Sequence, residues 1–449
     1  MQQKDIAYKN RLILGLGQTG LAVARYLSAL HQPFNVMDTR DIAPGHEELE
    51  KLAPGSLLQW NGDQFTEYDE LVVSPGIAIA RADIQAAQKA GVSVIGDIEL
   101  FAQANTLPVI AITGSNGKST VTDLVGELIN ASGKKALVGG NIGVPALDLL
   151  EQEGDYVALE LSSFQLESTL SLEPVAATVL NVSEDHLDRY NNYQEYVDAK
   201  RSIYVNATTC LVNADDDNTW VESTQSIQNI LRFGLEHDND RIDGDHIDWA
   251  VDIASNAIKH NGQEILKLNE LTLQGIHNAL NVAVALALVE IAGIELTQPV
   301  LDAAKSYQGL PHRSQLVGIK NGVTFINDSK ATNVGATVAA IQSFEPQFGS
   351  NIILIAGGDA KGADLSTLQD IIKETVKAVV CFGKDAPAIA KLAPAKTQLV
   401  SNLEEAVRTA NEQAHSGDLV LLSPACASLD MFANYMQRGE QFAHYVEAL

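Results

Sequence analysis

The sequence predicts an α/β protein of three domains, each organised around a mostly parallel sheet with helices on both faces. Apolar runs of strand length alternate with helix-period patterns along the chain, which is the signature of strand–helix–strand units. Glycine-rich turns stand twice between such a run and such a helix, at residues 15–20 and 114–117. The length, 449 residues, corresponds to about three domains at ~150 residues each.

The first strand is expected at residues 11–16 (RLILGL), and the helix after it places Val23, Tyr26, Leu27 and Leu30 at i, i+3, i+4 and i+7. Strands at 34–37 and 70–73 follow, the second ending in Ser74-Pro75-Gly76. A new series opens near Pro108 with a strand that runs into TGSNGKST. Its helix aligns Val121, Leu124, Val125, Leu128 and Ile129 on one face, and Gly133 is placed to end it. Strands are expected next at 156–161 and 177–180. From about Cys210 to Leu273 the runs shorten and Asp and Asn become frequent, which predicts an antiparallel or irregular stretch. Residues 277–291 form an Ala-rich helix. The last series begins near Leu310-Pro311, with strands at 323–326, 352–356, 378–382 and 419–422. The domain limits are set at 1–97, 98–309 and 310–449.

Charge and composition exclude several classes of function. Lys and Arg total 30 against 57 Asp and Glu, a formal charge of -27, so a broad footprint for nucleic acid or anionic lipid is not expected. An anionic ligand must instead meet local cations. Three widely spaced cysteines, Cys210, Cys381 and Cys426, supply neither a disulfide framework nor a zinc ligand set. The first residues carry no signal-peptide pattern. The most apolar stretch, 279–289, contains Asn281 and is too short to cross a bilayer. These features point to a soluble cytoplasmic protein without an integral membrane segment.

Two glycine motifs carry chemistry. Gly15-x-Gly17-x-x-Gly20 follows a strand and opens a helix, and Asp38 lies 18 residues beyond Gly20 at the end of the next strand. This arrangement fits nicotinamide or flavin binding, a nucleotide-binding helix N-terminus without redox chemistry, or a tight turn alone. Thr113-Gly114-Ser115-Asn116-Gly117-Lys118-Ser119-Thr120 is more specific, a shortened phosphate loop with Ile112 where the longer form has glycine. By residue usage, such a T-G-x-x-G-K-[ST] pattern arises on the order of once in a thousand chains of this size, which favours ATP binding over a structural turn. Its glycines let backbone N–H groups converge on phosphate, Lys118 adds a charge, and Ser119 or Thr120 can ligate magnesium.

Polar residues at other strand ends extend the candidate set. Glu160 ends the strand YVALE, and the segment Asp185-His186-Leu187-Asp188 follows the strand ATVLNV; such strand ends lie on the ligand-binding edge of a parallel sheet. Lys200 shares a helix face with Tyr196, Val197, Ile203 and Tyr204. It is either a snorkelling lysine at the margin of that face or a desolvated one, nucleophilic or covalently modified. In the last series His312-Arg313, residues 328–333, 357–361 and 423–428 form polar or small-residue clusters at strand ends.

Read together, these blocks resemble the Mur ligase family, ATP-dependent amide-forming ligases of peptidoglycan precursor synthesis. TGSNGKST, ELSSFQLE, NVSEDHLDRY, HNALN, LPHR, NDSKATN, GGDAKGAD and SPACASLDMF look like its ordered motifs and span the chain. GLGQTG, MDTR and SPGI resemble the branch that adds D-glutamate to UDP-N-acetylmuramoyl-L-alanine. The resemblance implies a Rossmann-like N-terminal domain, a central P-loop ATPase-like domain and a Rossmann-like C-terminal domain. It implies that Gly114 to Thr120, Asn281, Arg313 and Asp328 bind ATP, with Asn281 at adenine, Arg313 at the γ-phosphate and Asp328 at ribose. Ser119 or Thr120 would hold a first magnesium ion, and Glu160 and His186 a second, with Lys200 carbamylated to complete the network. Gln18, Thr19, Asp38, Thr39, Arg40 and Gly76 would contact the uridine nucleotide, and Asn141 and Gln165 the muramoyl part. Lys330, Thr332, Lys361, Ser428, Leu429 and Tyr435 would form the D-glutamate pocket. The implied enzyme is a monomer that passes through an acyl phosphate, with Lys118, His186, Lys200 and Arg313 nearest the chemistry.

Overall fold

A computed structural model of the chain describes residues 6–183, 189–221, 227, 229–236, 246–273 and 275–449. The chain separates into two compact units, Met1–Ala250 with Val284–Ala303, and Val251–Ala283 with Ala304–Leu449.

The first unit holds two parallel sheets. Strands β1 (Arg11–Leu14), β2 (Phe34–Asp38), β3 (Leu57–Gln59), β4 (Glu70–Val73) and β5 (Ser93–Ile95) are ordered β3-β2-β1-β4-β5, and every pairing is parallel. Burial on both faces explains why β1 and β4 are buried throughout rather than at alternate residues. The polar exceptions pair with each other: Arg11 Nε donates to Glu70 Oε2 at 2.8 Å in neighbouring strands. Strands β6 (Val109–Thr113), β7 (Ala136–Gly140), β8 (Tyr156–Glu160), β9 (Ala176–Val179), β10 (Thr209–Asn213) and β11 (Asn229–Leu235) are ordered β11-β10-β9-β6-β8-β7, again all parallel.

The stretch expected to be antiparallel or irregular from Cys210 onward therefore begins as a continuation of the parallel ladder. Its Asp and Asn residues mark turns rather than a change of topology. Asp216 Oδ1 accepts from Asn218 N–H at 3.0 Å, and Asp215 Oδ2 accepts from Leu235 N–H at 2.7 Å. Strand β12 (Trp249–Asp252) follows. Only β13 (Ala257–His260) and β14 (Gln263–Lys267) form the antiparallel pair, among the pairings described in this stretch.

The two sheets of the first unit share one core. Val23 and Leu27 of the helix Gln18–Ala29, Ile98 and Phe101 of the helix Asp97–Ala104, and Val109, Leu147 and Leu166 belong to a single buried cluster. The phosphate-loop helix Lys118–Ala131 buries Val121, Leu124, Val125, Leu128 and Ile129, the face that its periodicity predicts. It ends before Gly133, whose φ of +83° suits the turn.

The second unit contains β15 (Gln315–Lys320), β16 (Val323–Asn327), β17 (Ile352–Ala356), β18 (Val376–Cys381), β19 (Thr397–Leu399) and β20 (Leu419–Leu422), ordered β15-β16-β20-β17-β18-β19. Edge strand β15 is antiparallel to β16, and the other pairings are parallel. Alternate residues of β17 face separate cores, Ile352 and Leu354 on one side and Ile353 and Ile355 on the other. No helix among the described residues is long and apolar enough to cross a membrane.

Candidate functional site

The phosphate loop leaves the buried strand β6 and enters the helix Lys118–Ala131. Gly114 and Gly117 have φ of +152° and +84°, a range that disfavours side chains, and a Cβ on Gly114 would meet Leu180 at 3.0 Å. Asn181 pins the loop from the end of the next strand. Its carbonyl accepts from Ser115 N–H at 2.8 Å, its Oδ1 accepts from Asn116 N–H at 2.8 Å, and its Nδ2 donates to Asn116 O at 3.2 Å. Ser115 Oγ lies 3.1 Å from Tyr196 Oη.

Two lysines converge on this loop. Lys118 Nζ donates to Gly114 O at 2.8 Å and to Ser115 O at 3.0 Å, while Lys200 Nζ donates to the same Gly114 O at 2.8 Å. Lys200 is buried, with its ammonium 4.6 Å from the centroid of the Tyr196 ring, so the snorkelling alternative is excluded. Beside the lysines, Glu160 at the end of β8 accepts from Ser119 Oγ at 2.5 Å and from Asn141 Nδ2 at 2.7 Å. A hydroxyl and a carboxylate this close are the hard oxygen donors that magnesium takes, so these residues fit the ion. Among the described residues no group of three or more His, Cys, Asp or Glu is placed to hold a metal. His186 lies outside the described residues.

At the edge of the first sheet, Gly20 is required by packing, because a Cβ there would stand 1.8 Å from Gly15 O. Gln18 and Thr19 open the helix Gln18–Ala29. Asp38 closes the loop from the end of β2. Its Oδ2 accepts from Leu16 N–H at 2.6 Å and Arg40 Nη2 at 2.7 Å, and its Oδ1 from Arg40 N–H at 2.9 Å and Nε at 2.8 Å. The Arg40 hydrogen bonds hold this carboxyl down at about 2. Both of its carboxylate oxygens are thus engaged by Leu16 and Arg40. Thr39, Arg40 and Gly76 are exposed at the same edge.

Gln165 sits in a capping box. Its N–H donates to Ser162 Oγ at 3.2 Å, and its Oε1 accepts from Ser162 N–H at 3.1 Å. Gln165 Nε2 donates to Asp97 Oδ2 at 3.4 Å. Asp97 opens the helix Asp97–Ala104 and is buried, its Oδ1 lacks a hydrogen-bond partner, and burial pushes its carboxyl up to about 6.

In the second unit the loops after β16, β17 and β20 gather. Asp328 accepts from Ser423 Oγ at 2.9 Å and Ser314 N–H at 3.1 Å, and burial raises it to about 7 against those hydrogen bonds. Ser314 Oγ is 3.2 Å from His277 Nε2, and burial lowers that imidazole to about 4. Asn281 Nδ2 donates to Asn278 Oδ1 at 3.2 Å. Arg313, next to Ser314, adds a charge that opposes the rise of Asp328. Asp359 and Ala427 exchange backbone hydrogen bonds at 2.9 Å. Lys330 Nζ lies 4.2 Å from the centroid of the Tyr435 ring, and Thr332 N–H donates to Lys330 O at 2.8 Å. Lys361 (φ +52°) and Leu429 are exposed, whereas Ser428 is buried.

Sequence reasoning missed Arg438, the fully buried cation that ties these loops together. Its Nε donates to Ser329 Oγ at 2.9 Å, Nη2 to Ser329 O at 2.7 Å, and Nη1 to Cys426 O at 3.1 Å. Burial lowers its guanidinium to about 10. The signal was its place at i with Phe442 and Val446 at i+4 and i+8, the apolar-face position that drew notice to Lys200.

Three stretches of the chain match models of known families. Residues 9–96 match the Mur ligase MurD-like N-terminal domain, 112–289 the Mur ligase middle domain, and 312–426 the Mur ligase glutamate ligase domain. UDP-N-acetylmuramoylalanine--D-glutamate ligase of Marinobacter nauticus is 47% identical over 449 residues, covering 99% of each chain. The ligase of that name from Haemophilus influenzae is 43% identical, covering 98% of each. Among solved structures, a pseudomurein peptide ligase type C from Methanothermus fervidus superposes with a TM-score of 0.61 at 17% identity, covering 98% of this chain and 99% of that one. A UDP-N-acetylmuramate-alanine ligase from Thermotoga maritima does so with 0.57 at 19%, covering 98% and 100%. These two share the fold.

Proposed function

Because the chain belongs to the Mur ligase family, we propose that it joins D-glutamate to UDP-N-acetylmuramoyl-L-alanine with ATP, forming ADP and phosphate in peptidoglycan precursor synthesis. The observation that carries the mechanism is the convergence of Lys118 and Lys200 on Gly114 O beside the Ser119–Glu160 pair. It supports a cationic phosphate cradle next to hard oxygen donors in a chain of net charge -27.

A carboxylate and an amine do not condense in water near neutral pH, so one must be activated. The terminal phosphoryl group of ATP passes to the alanyl carboxylate, the bond to the β-phosphate oxygen breaks, and ADP leaves an acyl phosphate. The D-glutamate amine attacks the acyl carbon, and phosphate departs as the amide forms. Lys118 turns from its loop carbonyls to the phosphates, and Arg313 meets the γ-phosphate. Ser119 or Thr120 would hold one magnesium ion, and Glu160 and His186 a second, and the ions would supply charge that offsets the transferring phosphoryl group. Carbamylation of Lys200 replaces an ammonium donor with a carboxylate-like acceptor able to join that network.

Asn281 and Asp328 take adenine and ribose. Gln18, Thr19, Asp38, Thr39, Arg40 and Gly76 take the uridine nucleotide, with Arg40 fixed by Asp38. Asn141 and Gln165 take the muramoyl part, and Lys330, Thr332, Lys361, Ser428, Leu429 and Tyr435 take D-glutamate. We place the enzyme in the cytoplasm as a monomer with domains at 1–97, 98–309 and 310–449. The test is phosphate release with ATP, magnesium and a panel of D- and L-amino acids, with and without the muramoyl nucleotide. Release that requires both the nucleotide and D-glutamate is expected; turnover indifferent to either would overturn the assignment.

A further inference from the structure

Arg189 lies outside every motif role assigned above, yet it fastens the loop that follows β4. Its Nη1 donates to Pro75 O at 2.6 Å and its Nη2 to Ile77 O at 3.3 Å. The same Nη2 lies 3.2 Å from Glu167 Oε2, and the guanidinium carbon stands 4.0 Å from the centroid of the Phe164 ring. A planar fork engaged on both edges and stacked on one face has little rotational freedom. It is largely buried, with 11% side-chain exposure.

The geometry has a directional effect. The peptide bonds here are trans, so the C=O and N–H of each peptide point in opposite directions. Holding Pro75 O toward Arg189 aims Gly76 N–H away from it, and holding Ile77 O does the same for Ala78 N–H. Neither N–H has an acceptor among the described residues, and Gly76 is exposed. Two backbone donors held on one side of a partly exposed loop form a hook for carbonyl or phosphate oxygens.

We infer that Arg189 is a positioning residue for the nucleotide-sugar substrate, acting through the Gly76 and Ala78 N–H groups that it aims. The inference rests on the proposed assignment of Gly76 to the uridine nucleotide. Arg189 acts as a positioning residue rather than a catalytic one, because its guanidinium fork is engaged by Pro75 O, Ile77 O and Glu167. Glu167 and Phe164 hold its plane, so they belong to the same device.

The experiment compares wild-type enzyme with Arg189→Ala, Arg189→Lys and Glu167→Gln. Steady-state kinetics would give kcat and the KM of each of the three substrates, and calorimetry would give the affinity for UDP alone. Arg189→Ala should raise the muramoyl-nucleotide KM and weaken UDP roughly tenfold or more, while kcat and the ATP and D-glutamate KM values stay within about twofold. Arg189→Lys, which keeps the charge but loses the fork, should recover only part of the loss. Glu167→Gln should shift the same two quantities in the same direction by less. It also serves as the milder probe if Arg189→Ala does not fold. Equal changes in all three KM values, full recovery by lysine, or unchanged UDP affinity would overturn the inference. Failure of wild-type enzyme to bind UDP or to release phosphate would instead overturn the functional assignment on which it stands.

Discussion

Asp97→Asn should alter the pH dependence of stability more than stability itself. Asp97 is buried with Oδ1 unpartnered, and desolvation raises its carboxyl from 3.8 to about 6 despite hydrogen bonds from Gln165 and from the N–H groups of Asp97 and Ile98. A carboxylic acid whose folded pKa lies above its unfolded value stabilises the fold fully below the unfolded pKa. That contribution disappears as pH rises through the folded one. The wild-type protein should therefore lose stability between about pH 4 and pH 7. A rise of about two units at about 1.4 kcal/mol each sets the loss at ~3 kcal/mol as an upper value. Asparagine keeps an oxygen for Gln165 and puts an amide NH2 where the protonated acid has its hydroxyl. At pH 4 the two proteins should thus be nearly equal, and by pH 8 the variant should be the more stable by up to that amount. The three tryptophans, Trp60, Trp220 and Trp249, all lie in the first unit with Asp97. Their fluorescence during urea unfolding at several pH values reports the relevant transition without assuming that the whole chain unfolds in one step. Parallel midpoint-versus-pH curves, or a variant weaker than wild type at pH 8, would refute the reasoning.

Lys118→Ala should abolish phosphate release while leaving the thermal transition within a few degrees, because Lys118 bonds only local loop carbonyls at 2.8 and 3.0 Å among the contacts described; a folded variant that still ligates would remove Lys118 from the mechanism. Arg438→Met should destabilise the second unit by roughly 3–5 kcal/mol, since it strands Ser329 and Cys426 acceptors in the interior. A loss below about 1 kcal/mol in chemical denaturation would show that those loops hold without it. Activity should fall under rigorous CO2 removal and return with bicarbonate if Lys200 acts as a carbamate; indifference to CO2 together with an active Lys200→Ala would dismiss that role.

Much of the site was legible because parallel strands place their chemistry at one edge. Strands β6, β8, β16, β17 and β20 are buried apolar runs, so the residues at and just beyond their ends are candidates: Glu160 ends β8, and Gly114 and Asp328 follow β6 and β16. The contacts of Lys200 did not follow from its helical spacing. Periodicity put it on an apolar face, but its bond to Gly114 O spans 86 residues of sequence. Arg189 and Arg438 escaped for a related reason: most of their hydrogen bonds go to backbone carbonyls, and a carbonyl leaves no trace in residue identity. The parallel course of β10 and β11 was obscured by acidic turn residues that satisfy nearby N–H groups, so local polarity masked the continuing ladder.

The two hydrogen bonds that Gly114 O accepts make ligand entry an exchange. Lys118 rests on Gly114 O and Ser115 O, so an anion that draws its ammonium away exchanges those acceptors for its own, and the net gain is the difference between them. A weak or singly charged anion gains little by that trade. A polyphosphate that engages several loop N–H groups at once gains enough to complete it. A self-bonded loop of this kind favours a multivalent phosphate over a small singly charged anion such as chloride.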